Sequence, residues 1–268
     1  MVQPQMQVGE ITTRCSTALG LPDETARWAC GLFVVDEPAD STVGTSADGT
    51  ATPSVSEGTL PSSPWPLRTD DHLGTVVVSR TKQRRAFRLV YMLKARLPDA
   101  EASLSTDAVF AHLTALHTDE EARTGVPQEM QGAAHFQVRE LRVAQNAPAA
   151  ALALQTCTTA ALAIAADGLH FLDTRGEPLA GWNLTEMCVL SFPFLSVLRW
   201  GGSMQQFTVE VASTEEPHKK LRDRKTFQIS MSTESAKAIA ASLLNYIEAI
   251  MAQPDWTMPG IEDVSLSA

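Results

Sequence analysis

At 268 residues with 44% hydrophobic side chains, the chain is long enough to bury two or three small cores. Its formal net charge of −10 excludes general nucleic-acid binding, because a phosphate backbone demands a basic surface. No apolar run approaches the roughly 20 residues of a membrane span, and Met1–Gly9 lacks the basic-plus-apolar shape of a signal peptide, so a cytoplasmic protein is expected. Cys15, Cys30, Cys157 and Cys188 are widely spaced and form no CxxC pair, which reads as free thiols in a reducing compartment.

In chain order, the first elements are a helix and a strand. Ile11, Cys15 and Leu19 are spaced to share a face over Val8 to Leu19, and Gly20 can end that helix. Gly31-Leu32-Phe33-Val34-Val35 reads as a strand. Glu37 to Pro64 is dominated by Ser, Thr, Gly, Ala and Pro with no aromatic residue, so it is expected to stay a flexible loop. Order resumes with Trp65-Pro66-Leu67, a turn-like segment at Thr69-Asp70-Asp71-His72-Leu73, and the strand Phe87-Arg88-Leu89-Val90-Tyr91-Met92. The stretch from Pro98 to Pro148 is helical in pattern. Val109, Leu113 and Leu116 share a face over Asp107 to Thr118, Gly125 and Pro127 break that helix, and Met130, Ala134, Val138 and Leu141 define a second over Gln128 to Val143.

The remaining chain alternates short strands and closes on a helix. Ala160 to Ala165 leads through Asp167-Gly168, a hairpin signal, into Leu169-His170-Phe171-Leu172. Further strands are expected at Val189–Phe192, Leu195–Trp200, Phe207–Val211 and Thr226–Met231. The period then changes: Ile239, Leu243, Tyr246, Ile247 and Ile250 share one face of a helix that starts after Ser232-Thr233 and stops before Pro254. A bent sheet closed by a C-terminal helix is the pleckstrin-homology-like plan.

Little in this chain suggests catalysis. Its six histidines are scattered, and His112 and His117, five apart, fall on different sides of a helix, so no metal is expected. There is no HExxH, no GxSxG and no Gly-rich phosphate loop, so neither enzymatic activity nor a cofactor is expected. Asp119-Glu120-Glu121 reads as a solvated helix face. One segment is distinct electrostatically: His218, Lys219, Lys220, Arg222, Arg224 and Lys225 bring five Lys/Arg together against Glu216 and Asp223. It falls between two strands, either as a solvated hairpin loop or as a contact for anionic lipid or an acidic partner.

A ubiquitin-like roll, a helical lobe and a pleckstrin-homology-like lobe, in that order, resemble a FERM domain. Thr17-Ala18-Leu19-Gly20-Leu21-Pro22-Asp23 followed by Cys30-Gly31-Leu32-Phe33 is similar to the helix-to-strand passage of the first FERM lobe. Phe87 to Leu97 is similar to its last strand and the link onward. Leu162-Ala163-Ile164 through Gly168 to Asp173 is similar to the start of the third lobe, Ser191 to Val197 to its central strand pair, and Gln206-Phe207-Thr208-Val209 to the strand after the turn. The third-lobe pattern most resembles the FERM units in the tails of unconventional myosins, and the same lobe occurs in talin-like and plant kinesin-like proteins.

The resemblance implies an α+β, FERM-like fold: a partial ubiquitin-like roll over 1–97 containing the 37–64 insert, a shortened helical lobe over 98–153, a pleckstrin-homology-like lobe over 154–253, and a tail. The opening hairpin of the first lobe would lie before Met1. The implied function is a non-enzymatic cytoskeletal adaptor, myosin-tail-like, that binds cytoplasmic peptide segments of membrane or cargo proteins. In such lobes a peptide docks between the C-terminal helix and its neighbouring strand. Here Ile239, Leu243 and Ile247 would face the sheet, while Ser242, Asn245 and Tyr246 would line the groove. The alternative is a phosphoinositide-binding module acting through loop 218–225 at the inner membrane surface; an intramolecular lobe that only folds against other parts of a longer chain is a third reading. Because Glu37 to Pro64 has too few apolar residues to offset its ordering entropy, limited proteolysis should cut there first. Sustained protection of that segment would contradict the assignment.

Overall fold

The computed structural model describes residues 5–21, 29–36, 65–82, 87–95, 108–123, 126–157, 159–177, 179–215 and 218–251. The 37–64 insert and the tail after Met251 lie outside the described residues.

Helix α1 (Val8–Ala18) ends as its sequence dictates. Gly20 adopts φ +71°, Leu21 N–H reaches Ser16 O and Gly20 N–H reaches Thr17 O, so a left-handed glycine closes the last turn. Its buried side carries Val8, Ile11 and Ser16, while Leu19 turns outward. Strands β1 (Cys30–Asp36), β2 (Trp65–Pro66) and β3 (Phe87–Leu93) form a three-stranded antiparallel sheet in the order β2-β1-β3. Phe33 stands opposite Val90, and Tyr91 on β3 hydrogen-bonds Ser16 of α1 at 2.7 Å. Helix α2 (Leu73–Lys82) is not foreseen by sequence reading. Its Thr75-Val76-Val77-Val78 run favours strand on propensity alone, and tertiary anchoring of His72 against Gln7 overrides that preference.

Helix α3 (Ala108–Arg123) runs past the expected end at Thr118. Leu113 is buried against Leu21, Cys30 and Leu93, but Leu116 is exposed. The inner face is therefore the 113-117-121 line, and two of its three members are polar.

The expected second helix over Gln128 to Val143 is not formed. Gln128–Met130 is one 3-10 turn, and Ala134–Val143 is strand β4. Phe136 and Val138 point into the core, Glu140 adopts φ +48°, and Leu141 and Val143 then return to the core. Opposite this bulge, two steps along the partner strand match three on β4. The bulge sets Val138 and Leu141 three positions apart, a spacing that imitates a helix.

Strand β4 belongs to a seven-stranded antiparallel sheet with β5 (Ala160–Ala165), β6 (Gly168–Asp173), β7 (Cys188–Phe192), β8 (Val197–Gly202), β9 (Gln206–Ala212) and β10 (Thr226–Ser232). The order is β7-β6-β5-β4-β10-β9-β8. The sheet therefore begins at Ala134, and the expected lobe boundary at 153/154 falls inside it. The short helix α4 (Ala149–Leu152) joins β4 to β5, and α5 (Leu184–Met187) precedes β7. Strand β5 is apolar throughout because both faces are covered: Leu162 and Ile164 enter the main core, Ala161 and Ala163 a second cluster with Met130 and Trp182. The β5–β6 hairpin turns at Ala166-Asp167, and Gly168 is required at its exit, where a Cβ would stand 2.1 Å from Phe192 O.

Helix α6 (Ala236–Met251) closes this sheet. Ile239 and Leu243 are fully buried on it, beside an edge-to-face run of Phe171, Phe192 and Phe227. Ile247, expected in the core, is only half-buried. Leu243→Ala should lower unfolding free energy by about 2–5 kcal/mol, the usual cost of a large-to-small change in a core. An unchanged denaturation midpoint would contradict this packing.

Candidate partner-binding site

Strand β8 is the last strand of the seven-stranded sheet, and among the described residues nothing pairs with its outer edge. A 3-10 turn at Phe194–Ser196 leads into it, and Gly201-Gly202 lead out toward β9. Arg199 on β8 forms an ion pair with Glu210 on β9, and that guanidinium holds the Glu210 carboxyl below the usual carboxylate range. Helix α6 runs alongside β8. At 3.6 residues per turn, Ala240, Leu244, Ile247 and Met251 share one arc of α6. Leu244 and Met251 are 40% and 53% exposed, and Leu195 and Leu198 at the strand side are 51% and 42% exposed. An unpaired strand edge thus lies beside a stripe of apolar side chains.

Ser242 and Tyr246 lie elsewhere. Both are buried on another flank of α6 and line a cavity of about 30 Å³, with Phe33, Lys94, His117 and Glu121 among the other lining residues. Strand β2 approaches the same helix, and Lys94 Nζ stands 3.6 Å from a Glu248 oxygen. Tyr246 donates its hydroxyl hydrogen to Gly132 O and stacks on Phe194 at 5.7 Å and 21°. Asn245, half-buried, falls between Ala241 and Ser242 on the helical wheel, on the side away from Leu244 and Met251. Ser242 and Tyr246, read from sequence as groove-lining, are thus buried beside Phe33 and Lys94 of the first lobe, while Leu244 and Met251 are exposed. Glu121 also departs from its solvated reading: it is 3% exposed, accepts the Gly132 N–H at 2.8 Å, and lies 3.6 Å from His117 Nε2.

The basic segment lies where it was expected, in the connection between β9 and β10. His218, Lys219, Lys220, Arg222 and Lys225 are exposed and Arg224 half-buried around a 3-10 turn at Leu221–Asp223. Arg224 Nε donates to Lys219 O at 3.0 Å, and Ser213 N–H donates to Lys225 O at 2.8 Å, which tie the loop to its strands. Among the described residues, no three His, Cys, Asp or Glu side chains cluster as a metal site needs, and no helix is long and apolar enough to cross a membrane. All four cysteines are free.

Residues 151–251 match the family model of the PTB domain (IRS-1 type). The chain is similar in structure to the MyTH4-FERM MF2 domain of Dictyostelium discoideum myosin VII, with TM-score 0.53 at 11% identity over 90% of this chain and 54% of that one. A mutant of the same domain gives TM-score 0.52 at 12% identity over 90% and 55%. The fold is that of a FERM domain. A human myosin 7b C-terminal MyTH4-FERM domain, solved in complex with the harmonin-a PDZ3 domain, is similar at TM-score 0.45 and 11% identity over 94% of this chain and 57% of that one. The FERM-fold chain described here thus spans little more than half the length of these myosin chains. No curated protein sequence matches it.

Close to the junction, His135 at the start of β4 is buried edge-on to Trp182, and burial lowers its pKa to about 4 against the opposing pull of the Ala133 carbonyl and Glu121. The unfolded chain takes up this proton near pH 6.5 while the native protein does not. Stability should therefore fall as pH drops from about 6.5 to 4, by about 3 kcal/mol from this group, and level off below. Across that window the thermal midpoint of the wild type should fall relative to that of His135→Leu, which has no imidazole to protonate. Parallel curves would show that His135 is not the titrating group.

Proposed function

We propose that this chain is a non-enzymatic, FERM-type adaptor whose third lobe takes an extended segment of a partner protein along β8, against α6. The observation that carries this reading is the open edge of β8 beside exposed Leu198, Leu244 and Met251. An added strand gains main-chain hydrogen bonds from that edge, and alternate side chains of the peptide fall toward the apolar stripe. Each apolar residue covered there contributes on the order of 25 cal/mol per Å² removed from water. The partners are cytoplasmic segments of membrane or cargo proteins, and the setting is cytoskeletal, as in myosin tails. The lobes divide into a partial ubiquitin-like roll through Ala95, the single helix α3, and a third lobe from Ala134 to Met251.

Peptides selected on the full chain from a random display library should bind the wild type and lose at least about tenfold in affinity to Leu198→Asp and Leu244→Asp, since about 1.4 kcal/mol separates each decade. Both sites are exposed, so the variants should keep the wild-type thermal midpoint. Equal binding by both variants would overturn the groove.

A second reading rests on the basic loop. Five cations on one short connection present a local positive patch despite the net charge of −10, because salt screens charges beyond about 8 Å. The wild type should sediment with phosphoinositide-containing liposomes at low salt, and a variant with Lys219, Lys220, Arg222, Arg224 and Lys225 all changed to Gln should not. Failure of the wild type to sediment would remove this reading and leave the groove.

A further inference from the structure

Three contacts run in series from α3 to both walls of the groove. The Glu121 carboxylate on α3 accepts the Gly132 N–H at 2.8 Å. The carbonyl of the same glycine accepts the Tyr246 hydroxyl from α6. Tyr246 stacks on Phe194, which stands in the turn that feeds β8. Gly132 adopts φ +83°, a left-handed conformation that suits glycine and strains other residues. That conformation lets one residue offer its amide to α3 and its carbonyl to α6. Glu121 and Tyr246 are buried, 3% exposed each, and Phe194 is half-buried. A carboxylate held from water keeps its hydrogen bonds because losing one is costly.

We propose that Glu121, Gly132 and Tyr246 form a positioning latch that sets α6 against β8, so that docking of α3 and binding of a peptide in the groove are linked. The proposal rests on the groove reading above and adds its regulation. With the latch closed, Tyr246 holds the helix wall and, through Phe194, the approach to the strand wall. Release of α3 frees Tyr246 and lets the two walls separate. By reciprocity of linked equilibria, a peptide that favours one spacing of the walls also changes how firmly α3 is held.

The spacing can be read without any ligand. Nitroxides attached through p-acetylphenylalanine at Leu198 and Leu244, both solvent-exposed, report the distance across the groove in the full chain by pulsed electron-spin resonance. The wild type should give one narrow distribution. Tyr246→Phe keeps the ring on Phe194 but loses the hydroxyl, and Glu121→Ala removes the acceptor; each should broaden the distribution roughly twofold or split it into two populations. Glu121→Gln retains an acceptor oxygen for the Gly132 N–H and should restore the narrow distance. Phe227→Leu, in the core and outside the series, should lower the thermal midpoint without broadening the distance. The proposal is overturned if Tyr246→Phe and Glu121→Ala stay narrow, or if Phe227→Leu broadens as much as they do. Either result leaves the groove itself standing, because peptide binding by the wild type is measured separately.

Discussion

Ile239 and Leu243 leave no surface to water, and the open end of the seven-stranded sheet is closed by these side chains and their neighbours on α6. The same helix meets the first lobe on another flank, through the cavity lined by Phe33 and Ser242 and the Lys94–Glu248 pair. Burial on two sides leaves α6 a single arc facing solvent, and that arc carries Leu244 and Met251 with Lys237 and Glu248 beside them. The groove proposed beside β8 lies on what this clamping of α6 leaves uncovered.

The lobe junction is polar where a core would ordinarily be apolar. Glu121 and His117 from α3 and Tyr246 from α6 meet around one glycine, and His117 Nδ1 is buried without a hydrogen-bond partner. Apolar replacements of similar volume would often be as stable or more so, so such a network is weak support for stability as its purpose. It does favour one geometry at the junction, since Gly132 meets both Glu121 and Tyr246 only when α3 and α6 are in place together. Lys94 adds a charge pair at the rim, where partial exposure keeps its contribution small.

Charge is distributed unevenly over this fold. A net charge of −10 coexists with the cationic β9–β10 connection, whose side chains point to solvent. Exposed pairs such as Arg222–Asp223, 3.9 Å apart, contribute little to stability. The connection is held by backbone hydrogen bonds from Ser213 and by Arg224. Its exposed side chains, Arg224 apart, can therefore change with small effect on the fold.

Most strands were legible in the chain because apolar alternation and turn residues are local signals. Phe87–Leu93, Ala160–Ala165 and Thr226–Ser232 fall where the pattern puts them, and the order of roll, helix and bent sheet follows from that. The sequence by itself also determined the close of α1 at Gly20 and the inward face of Ile239 and Leu243, since left-handed backbone and helical periodicity need no partner to be recognised. Strand β4 was hidden because a one-residue bulge at Glu140 shifts an alternating pattern into helical spacing. Glu121 looked like a solvated carboxylate until Gly132 was brought against it from the far side of a loop. Which side of α6 is buried and which is exposed is a question of what covers each flank, and a sequence read one segment at a time holds no record of that cover. Only tertiary packing decided it, the sheet core and the first lobe together burying Ser242 and Tyr246 and leaving Leu244 and Met251 in water.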